Sequence, residues 1–211
     1  PFNAISAVVT QVQTAYASAR RVFDLLDAKE IKPDPADAEV IQNPQGSIEF
    51  DDVAFSYDPK HPLLSHISFR AEPGQKIALV GPTGCGKTTL INLLLRFYSI
   101  DSGAIYVDGH NTQKLTRASL REQFGMVLQD TWLFKGTIKE NIRYAKPDAT
   151  DEEIFAAAQK AQAHEFIQQL PRGYDTMVGE AGGSLSQGQQ QLLCIARVML
   201  ANPPILLLDE A

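Results

Sequence analysis

Gly81-Pro82-Thr83-Gly84-Cys85-Gly86-Lys87-Thr88 fits Gly-x-x-x-x-Gly-Lys-[Ser/Thr], the pattern of a phosphate-binding loop. Its flanks supply the context the pattern needs. Lys76-Ile77-Ala78-Leu79-Val80 reads as a short buried strand, and Thr89 to Phe97 reads as a helix. Glycines let backbone N–H groups turn inward around an anion, and the helix N-terminus adds the positive end of its dipole. In such a loop Lys87 reaches the β- and γ-phosphates, and the Thr88 hydroxyl ligates Mg²⁺.

The 211 residues suffice for one domain, or one domain with an appendage. A net charge of −6 argues against a nucleic-acid surface, which needs a basic face. It does not exclude ATP, because the loop makes its own local positive potential. Two cysteines, Cys85 and Cys194, are no disulfide framework and imply reduced thiols. No apolar run approaches the roughly 18 residues of a membrane span, and no signal peptide is evident.

Residues 1–29 read as an amphipathic helix, with Ile5, Val8, Val9, Val12, Tyr16, Ala19, Val22, Phe23 and Leu26 at spacings of three and four. Such a stripe packs on its own domain or on a second helix. Residues 30–45 carry Pro33, Pro35 and Pro44 and read as a linker. From Gly46 the pattern is of strands: 47–50, 53–57, 64–69, 103–109 and 124–129. From 137 to 170 it is helical, with Thr150 and Glu153 as a capping box opening a helix over 151–161 and a second helix over 163–170. Ser186 with Gln189 is another box, opening a helix whose buried stripe is read as Leu192, Ile195, Ala196, Met199 and Leu200. Ile205 to Leu208 is an apolar strand that delivers Asp209 and Glu210 at its carboxyl end. That is the second half of a phosphate-loop site: Asp209 to hold Mg²⁺, usually through water, and Glu210 to polarise the attacking water.

The set and its order resemble the nucleotide-binding domain of an ATP-binding-cassette (ABC) exporter. The loop at 81–88 is followed by Gln129 ending a strand, then Leu185-Ser186-Gln187-Gly188-Gln189, then Ile205 to Glu210. The third item resembles the family signature Leu-Ser-Gly-Gly-Gln, and Thr176 to Glu180 resembles the segment exporters place before it. The resemblance covers 46–211. It implies an α/β fold: a phosphate-loop parallel core, an antiparallel β subdomain, and a helical subdomain over about 130–185. Residues 1–29 look like the cytosolic end of a last transmembrane helix, with 30–45 the linker.

The resemblance also implies chemistry and partners. Two domains meet head to tail, and Mg-ATP sits between the loop of one and the signature of the other. Gly81, Pro82, Thr83, Gly84, Cys85, Gly86, Lys87, Thr88 and Thr89 cradle the phosphates, and Tyr57 stacks on adenine, the other reading of Tyr57 being an aromatic at a strand end. Ser186, Gln187, Gly188 and Gln189 face the γ-phosphate of the partner. Thr88, Gln129 and Asp209 hold the metal, and Lys87, Gln129 and Glu210 act in catalysis. Transmembrane domains complete the machine, with Trp132, Leu133 and Phe134 as candidate contacts or as core. The resemblance places such a domain at the cytoplasmic face of the cell membrane, the 1–211 chain itself being soluble and without nucleic acid.

Two positions depart from the family pattern. Gln187 stands where the signature usually has Gly, which fits one subunit of a heterodimeric, multidrug-type exporter, a homodimer being the alternative. The family also continues past this point with a strand beside the loop strand and a switch histidine, and none of the four histidines lies there. Truncation at that place implies unpaired groups on the core strands. The other function classes are an ATP-holding module without turnover, a soluble ABC ATPase and a kinase. The acidic charge opposes the second, and the signature has no role in the third.

Overall fold

In the structure, a computed structural model, residues 2–28, 30–31, 33–128, 131–179 and 185–208 are described, with backbone alone for 2–7. The chain divides into two units, residues 1–33 and 34–211. The first is α1 (Phe2–Leu26), whose Val9, Val12, Tyr16, Phe23 and Leu26 are exposed. No helix among the described residues is long and apolar enough to cross a membrane.

The second unit opens with a four-stranded antiparallel sheet of order β2-β1-β3-β4: β1 (Ile48–Phe55), β2 (Leu64–Ala71), β3 (Ser102–Val107) and β4 (His110–Asn111). The two short strands expected at 47–50 and 53–57 are one strand with an irregularity near Asp52, which sits at φ 48°. Phe50 pairs with Phe69 across the ladder, their rings stacked at 4.6 Å, and Val53, Ile105 and Val107 are fully buried beneath.

α2 (Lys87–Leu94) lies on this core through Leu93 and Leu94, and α3 (Arg117–Glu122) through Leu120. Arg121 donates Nε to Leu95 O at 3.1 Å, satisfying a carbonyl just past the end of α2. The proline-containing segment from Asp34 is fastened to this unit. Arg117 donates its N–H (3.0 Å) and Nη1 (2.6 Å) to Asp34, and Thr116 N–H bonds Glu39 O at 3.0 Å.

β5 (Phe124–Val127) and β8 (Ile205–Leu208) pair in parallel, in register from Phe124↔Ile205 to Val127↔Leu208. Between them in sequence come β6 (Gly136–Thr137), α4 (Ile138–Arg143), α5 (Asp151–Lys160), α6 (His164–Gln169), β7 (Met177–Val178) and α7 (Gln187–Ala201). Leu133, Ile138, Ile142, Ile154, Ile167 and Leu193 form a separate helical core with no exposure at all. Capping boxes open α4 (Thr137/Glu140), α5 (Thr150/Glu153) and α7 (Ser186/Gln189).

Two sequence expectations need correction. The buried stripe of α7 is Leu193, Ala196 and Leu200, with Leu192 and Ile195 at its margin and Met199 exposed. Ala196 and Leu200 are buried as expected, and the stripe is completed by Leu193 rather than by Leu192, Ile195 and Met199, because α4 and α5 cover the Leu193 side. Residues 76–80, expected as a buried strand, join no ladder among the described residues, and Val80 is 92% exposed. Their apolar pattern is that of a strand covered on both faces, and nothing described covers them.

Candidate functional site

The loop is built from its glycines. Gly84 sits at φ 82° and Gly86 at φ 97°, a left-handed conformation that side chains rarely adopt. At Gly86 a Cβ would also come within 2.8 Å of Leu64 Cδ2, so that position is closed by packing as well as by conformation. Gly86 is the residue before α2, and no side chain caps that helix. α4, α5 and α7 each close their first turn with a side-chain box, and α2 leaves its first-turn donors to something else. An anion is the group such an end takes.

Lys87 curls back over the loop. Its Nζ donates to Gly81 O at 2.8 Å and Pro82 O at 3.0 Å, with Cys85 Sγ at 3.9 Å. The ammonium therefore lies over the loop, where phosphate oxygens compete for its protons. Gly81 to Cys85 and Thr88 are exposed, and Thr89 is buried. Tyr57 stands over the same place, its hydroxyl 3.2 Å from Thr89 Oγ1. Phe55 and Tyr98 meet its ring edge-on at 4.8 and 5.0 Å and fix its plane.

A cavity of about 330 Å³ is lined by Tyr57, Leu63, Thr83, Gly84, Gly86, Lys87, Thr88 and Thr89. One aromatic wall, one ammonium and an uncapped helix end fit a nucleotide: a ring for the base, donors for the phosphates. A second, mostly apolar hollow of about 410 Å³ is lined by Leu64, Phe69, Ile77, Leu79, Val80 and Leu90, with Cys85 and Lys87 of the loop.

The signature residues are elsewhere. Ser186 to Gln189 do not line the cavity over the loop. Ser186 caps α7: its Oγ accepts from Gln189 N–H at 3.3 Å, and its own N–H donates to Gln189 Oε1 at 3.0 Å. The box uses neither the Ser186 hydroxyl proton nor the Gly188 N–H, and Ser186, Gln187 and Gly188 are all exposed. The structure therefore brings together Tyr57, Thr83, Gly84, Gly86, Lys87, Thr88 and Thr89, places Cys85 at the second hollow, and leaves 186–189 as a separate donor set in which Ser186, Gln187 and Gly188 are exposed.

Gln129, Asp209 and Glu210 lie outside the described residues. The strands before them in sequence are paired side by side up to Val127↔Leu208. Thr88 is the one expected metal ligand that is described, and no group of three His, Cys, Asp or Glu among the described residues could hold a metal ion. Leu133 proves to be core, whereas Trp132 is 61% exposed.

Sequence reasoning missed Tyr98, Asn141 and Arg197. The signals were weak: one aromatic beyond α2, one asparagine between the two isoleucines of a mostly polar helix, and the one charge of α7. None of these announces its partner.

Comparison with known proteins agrees with this fold. Residues 64–211 match the family model described as ABC transporter. Over all 211 residues the chain is 52% identical to the "Uncharacterized ABC transporter ATP-binding protein YfiC" of Bacillus subtilis (strain 168), covering 35% of it. It is 49% identical over the same length to a "Fatty acid ABC transporter ATP-binding/permease protein" of Mycobacterium bovis, covering 33% of that protein. The chain thus spans about a third of the length of the curated relatives it matches. The solved structure of a bacterial Atm1-family ABC exporter with ATP bound superposes with a TM-score of 0.83 at 41% identity, over 94% of this chain and 35% of that one. The family model covers residues 64–211, more than half of the chain, and the chain belongs to the ABC transporter family, as its nucleotide-binding domain.

Proposed function

We propose that this chain binds Mg-ATP at the loop and hydrolyses it in a head-to-tail pair, driving export by membrane domains at the cytoplasmic face of a membrane. The observation that supports this most is the cavity over the loop, where Tyr57, Lys87 and the uncapped end of α2 face one space. The names of the relatives, ATP-binding/permease protein and exporter, support the membrane part.

In this reading Tyr57 stacks on the base and the loop N–H groups hold the phosphate oxygens. Lys87 leaves the Gly81 and Pro82 carbonyls for the β- and γ-phosphates, where charge grows in the transition state. Thr88, with Gln129 and Asp209, would hold Mg²⁺, which would supply further neutralisation of that charge. Glu210 takes the proton of the attacking water, and Gln129 orients that water. The second domain supplies its Ser186 hydroxyl and Gly188 N–H to the γ-phosphate. Breaking the β–γ bridge removes the charge that both domains share, and the pair loosens.

The partner in the simplest reading is a second copy, since two-fold pairs are the commonest assembly. Gln187 in the signature favours a second reading, a pair of unlike subunits. Intact mass of the purified transporter separates the two.

The experiment is ATP turnover in the purified full-length protein with and without Mg²⁺, beside Glu210→Gln. Turnover that needs Mg²⁺ and is lost in the variant, with nucleotide still bound, is expected. Equal turnover in the two proteins would remove Glu210 from the mechanism, and no nucleotide binding at all would end the reading.

A further inference from the structure

Arg197 is the one charged side chain of α7, and three acceptors take its guanidinium. Nε donates to Asn141 O at 2.6 Å, Nη2 to Asn141 Oδ1 at 2.5 Å, and Nη1 to Trp132 O at 2.7 Å. Around it stand three rings, Phe134 at 5.8 Å and Trp132 and Tyr144 at 6.0 Å from the guanidinium carbon to each centroid. Burial lowers its pKa from the ordinary value, yet a guanidinium stays charged.

Asn141 is fully buried and carries the contact further. Its Nδ2 donates to Phe134 O at 3.1 Å and Thr137 O at 2.9 Å, and its Oδ1 also accepts from Phe134 N–H at 3.2 Å. One arginine thereby fixes the whole turn from Trp132 to Asn141 onto α7. A second tie lies seven residues earlier, on the same helix face. Gln190 accepts from Thr131 Oγ1 at 3.2 Å and donates Nε2 to Leu185 O at 3.0 Å. The residue after Leu185 is Ser186, the N-cap of α7. The rings on Arg197 leave an exposed surface, since Trp132 is 61% and Tyr144 66% accessible.

We propose that Arg197 and Gln190 are positioning residues that join the aromatic face of Trp132, Phe134 and Tyr144 to the N-terminus of α7. Load on that face then sets where Ser186 presents its hydroxyl. The inference rests on the proposed function, in which Ser186 meets the partner's phosphate, and on Trp132 and Phe134 as the membrane-domain contacts that the family resemblance implies, Tyr144 extending their face.

The test uses the full-length protein in lipid nanodiscs. Binding of a fluorescent ATP analogue gives the number of competent loops, and ATP turnover is expressed per bound nucleotide, so that a misfolded fraction cancels. Arg197→Lys keeps the charge and loses the fork, and Trp132→Ala removes the face. Expected are unchanged nucleotide affinity, roughly tenfold lower turnover for Arg197→Lys and roughly fivefold for Trp132→Ala. The double variant is expected at the level of Arg197→Lys alone, because both act through one connection. A double variant lower by the product of the two losses overturns the inference. So does an Arg197→Lys protein whose turnover falls only in proportion to its nucleotide binding. If Arg197→Lys does not accumulate folded, the same cycle with Gln190→Ala decides, non-additivity supporting the connection and additivity overturning it. A wild-type protein that binds the analogue but does not turn over ATP defeats the proposed function and this inference with it, a result distinct from additivity in an active protein.

Discussion

The helical region around α4 to α7 and the segment that carries the phosphate loop solve opposite problems. In the helical region the fully buried side chains form one cluster, and the capping boxes of α4, α5 and α7 close three first turns. The segment before the loop has the more apolar pattern, yet Ile77, Leu79 and Val80 are exposed and join no ladder among the described residues. On β8, Leu206 and Leu208 are likewise exposed. A helix satisfies its own backbone and asks its neighbours only for apolar cover. A strand asks its neighbours for both. The loop itself is independent of this difference, because its geometry is set within residues 81–89 and by Leu64 beneath Gly86.

The sharpest break between the regions is functional. Lys87→Ala should lower ATP turnover on the order of 10³-fold while leaving the helical core intact, since Lys87 touches only its own loop. Turnover and thermal unfolding of the one protein check both halves of that statement.

Core truncation should separate the regions by stability. Leu193→Ala, at a site with no exposure, should destabilise the chain by about 3 kcal/mol. Leu79→Ala, at a side chain 41% exposed, should change it by less than about 1 kcal/mol. Urea unfolding of both variants reads the difference, and equal losses would mean that Leu79 is covered after all.

A charge serves the antiparallel sheet where apolar cover serves the helices. Burial pushes the Asp108 carboxyl up, but the N–H groups of Ser47, Gly46 and Gln45 with the Ser47 hydroxyl outweigh it and leave its pKa below the ordinary value. A depressed folded pKa means stability that is complete above the unfolded value near about 4 and lost as pH falls through the folded one. Asp108→Ala should therefore cost about 1–2 kcal/mol at neutral pH, with the gap to wild type closing in acid. A gap that persists below about pH 3 would assign the effect to packing.

The smallest effect should come from the caps. Thr150→Ala should cost about 1 kcal/mol, read as faster amide exchange confined to α5, because Thr150 Oγ1 accepts from Glu153 N–H at 3.3 Å.

What could be read from the sequence follows the same division. The caps Thr150/Glu153 and Ser186/Gln189, the glycines of the loop and the apolar strand 205–208 are local features, and each is where its local chemistry puts it. On α7 the burial of Ala196 and Leu200 is legible, but Leu192 and Leu193 are equally apolar and only the position of α4 and α5 chooses between them. The strand at 76–80 was legible as a composition and not as a structure, since its ladder needs partners that its own residues do not encode. Tyr57 over the loop, Tyr98 against Tyr57, and Arg197 on Asn141 join residues distant in sequence, where pattern carries little information.

The proposed site is completed by a second domain, and mixing two inactive proteins tests that directly. Lys87→Ala removes the loop's cation and Ser186→Ala the donor offered across the interface. Each alone should show little ATP turnover. Co-expressed as a mixed pair, they should restore about a quarter of wild-type turnover: half the pairs are mixed, each with one intact site. No restoration, in mixed pairs shown to have formed, would contradict a site shared between two copies.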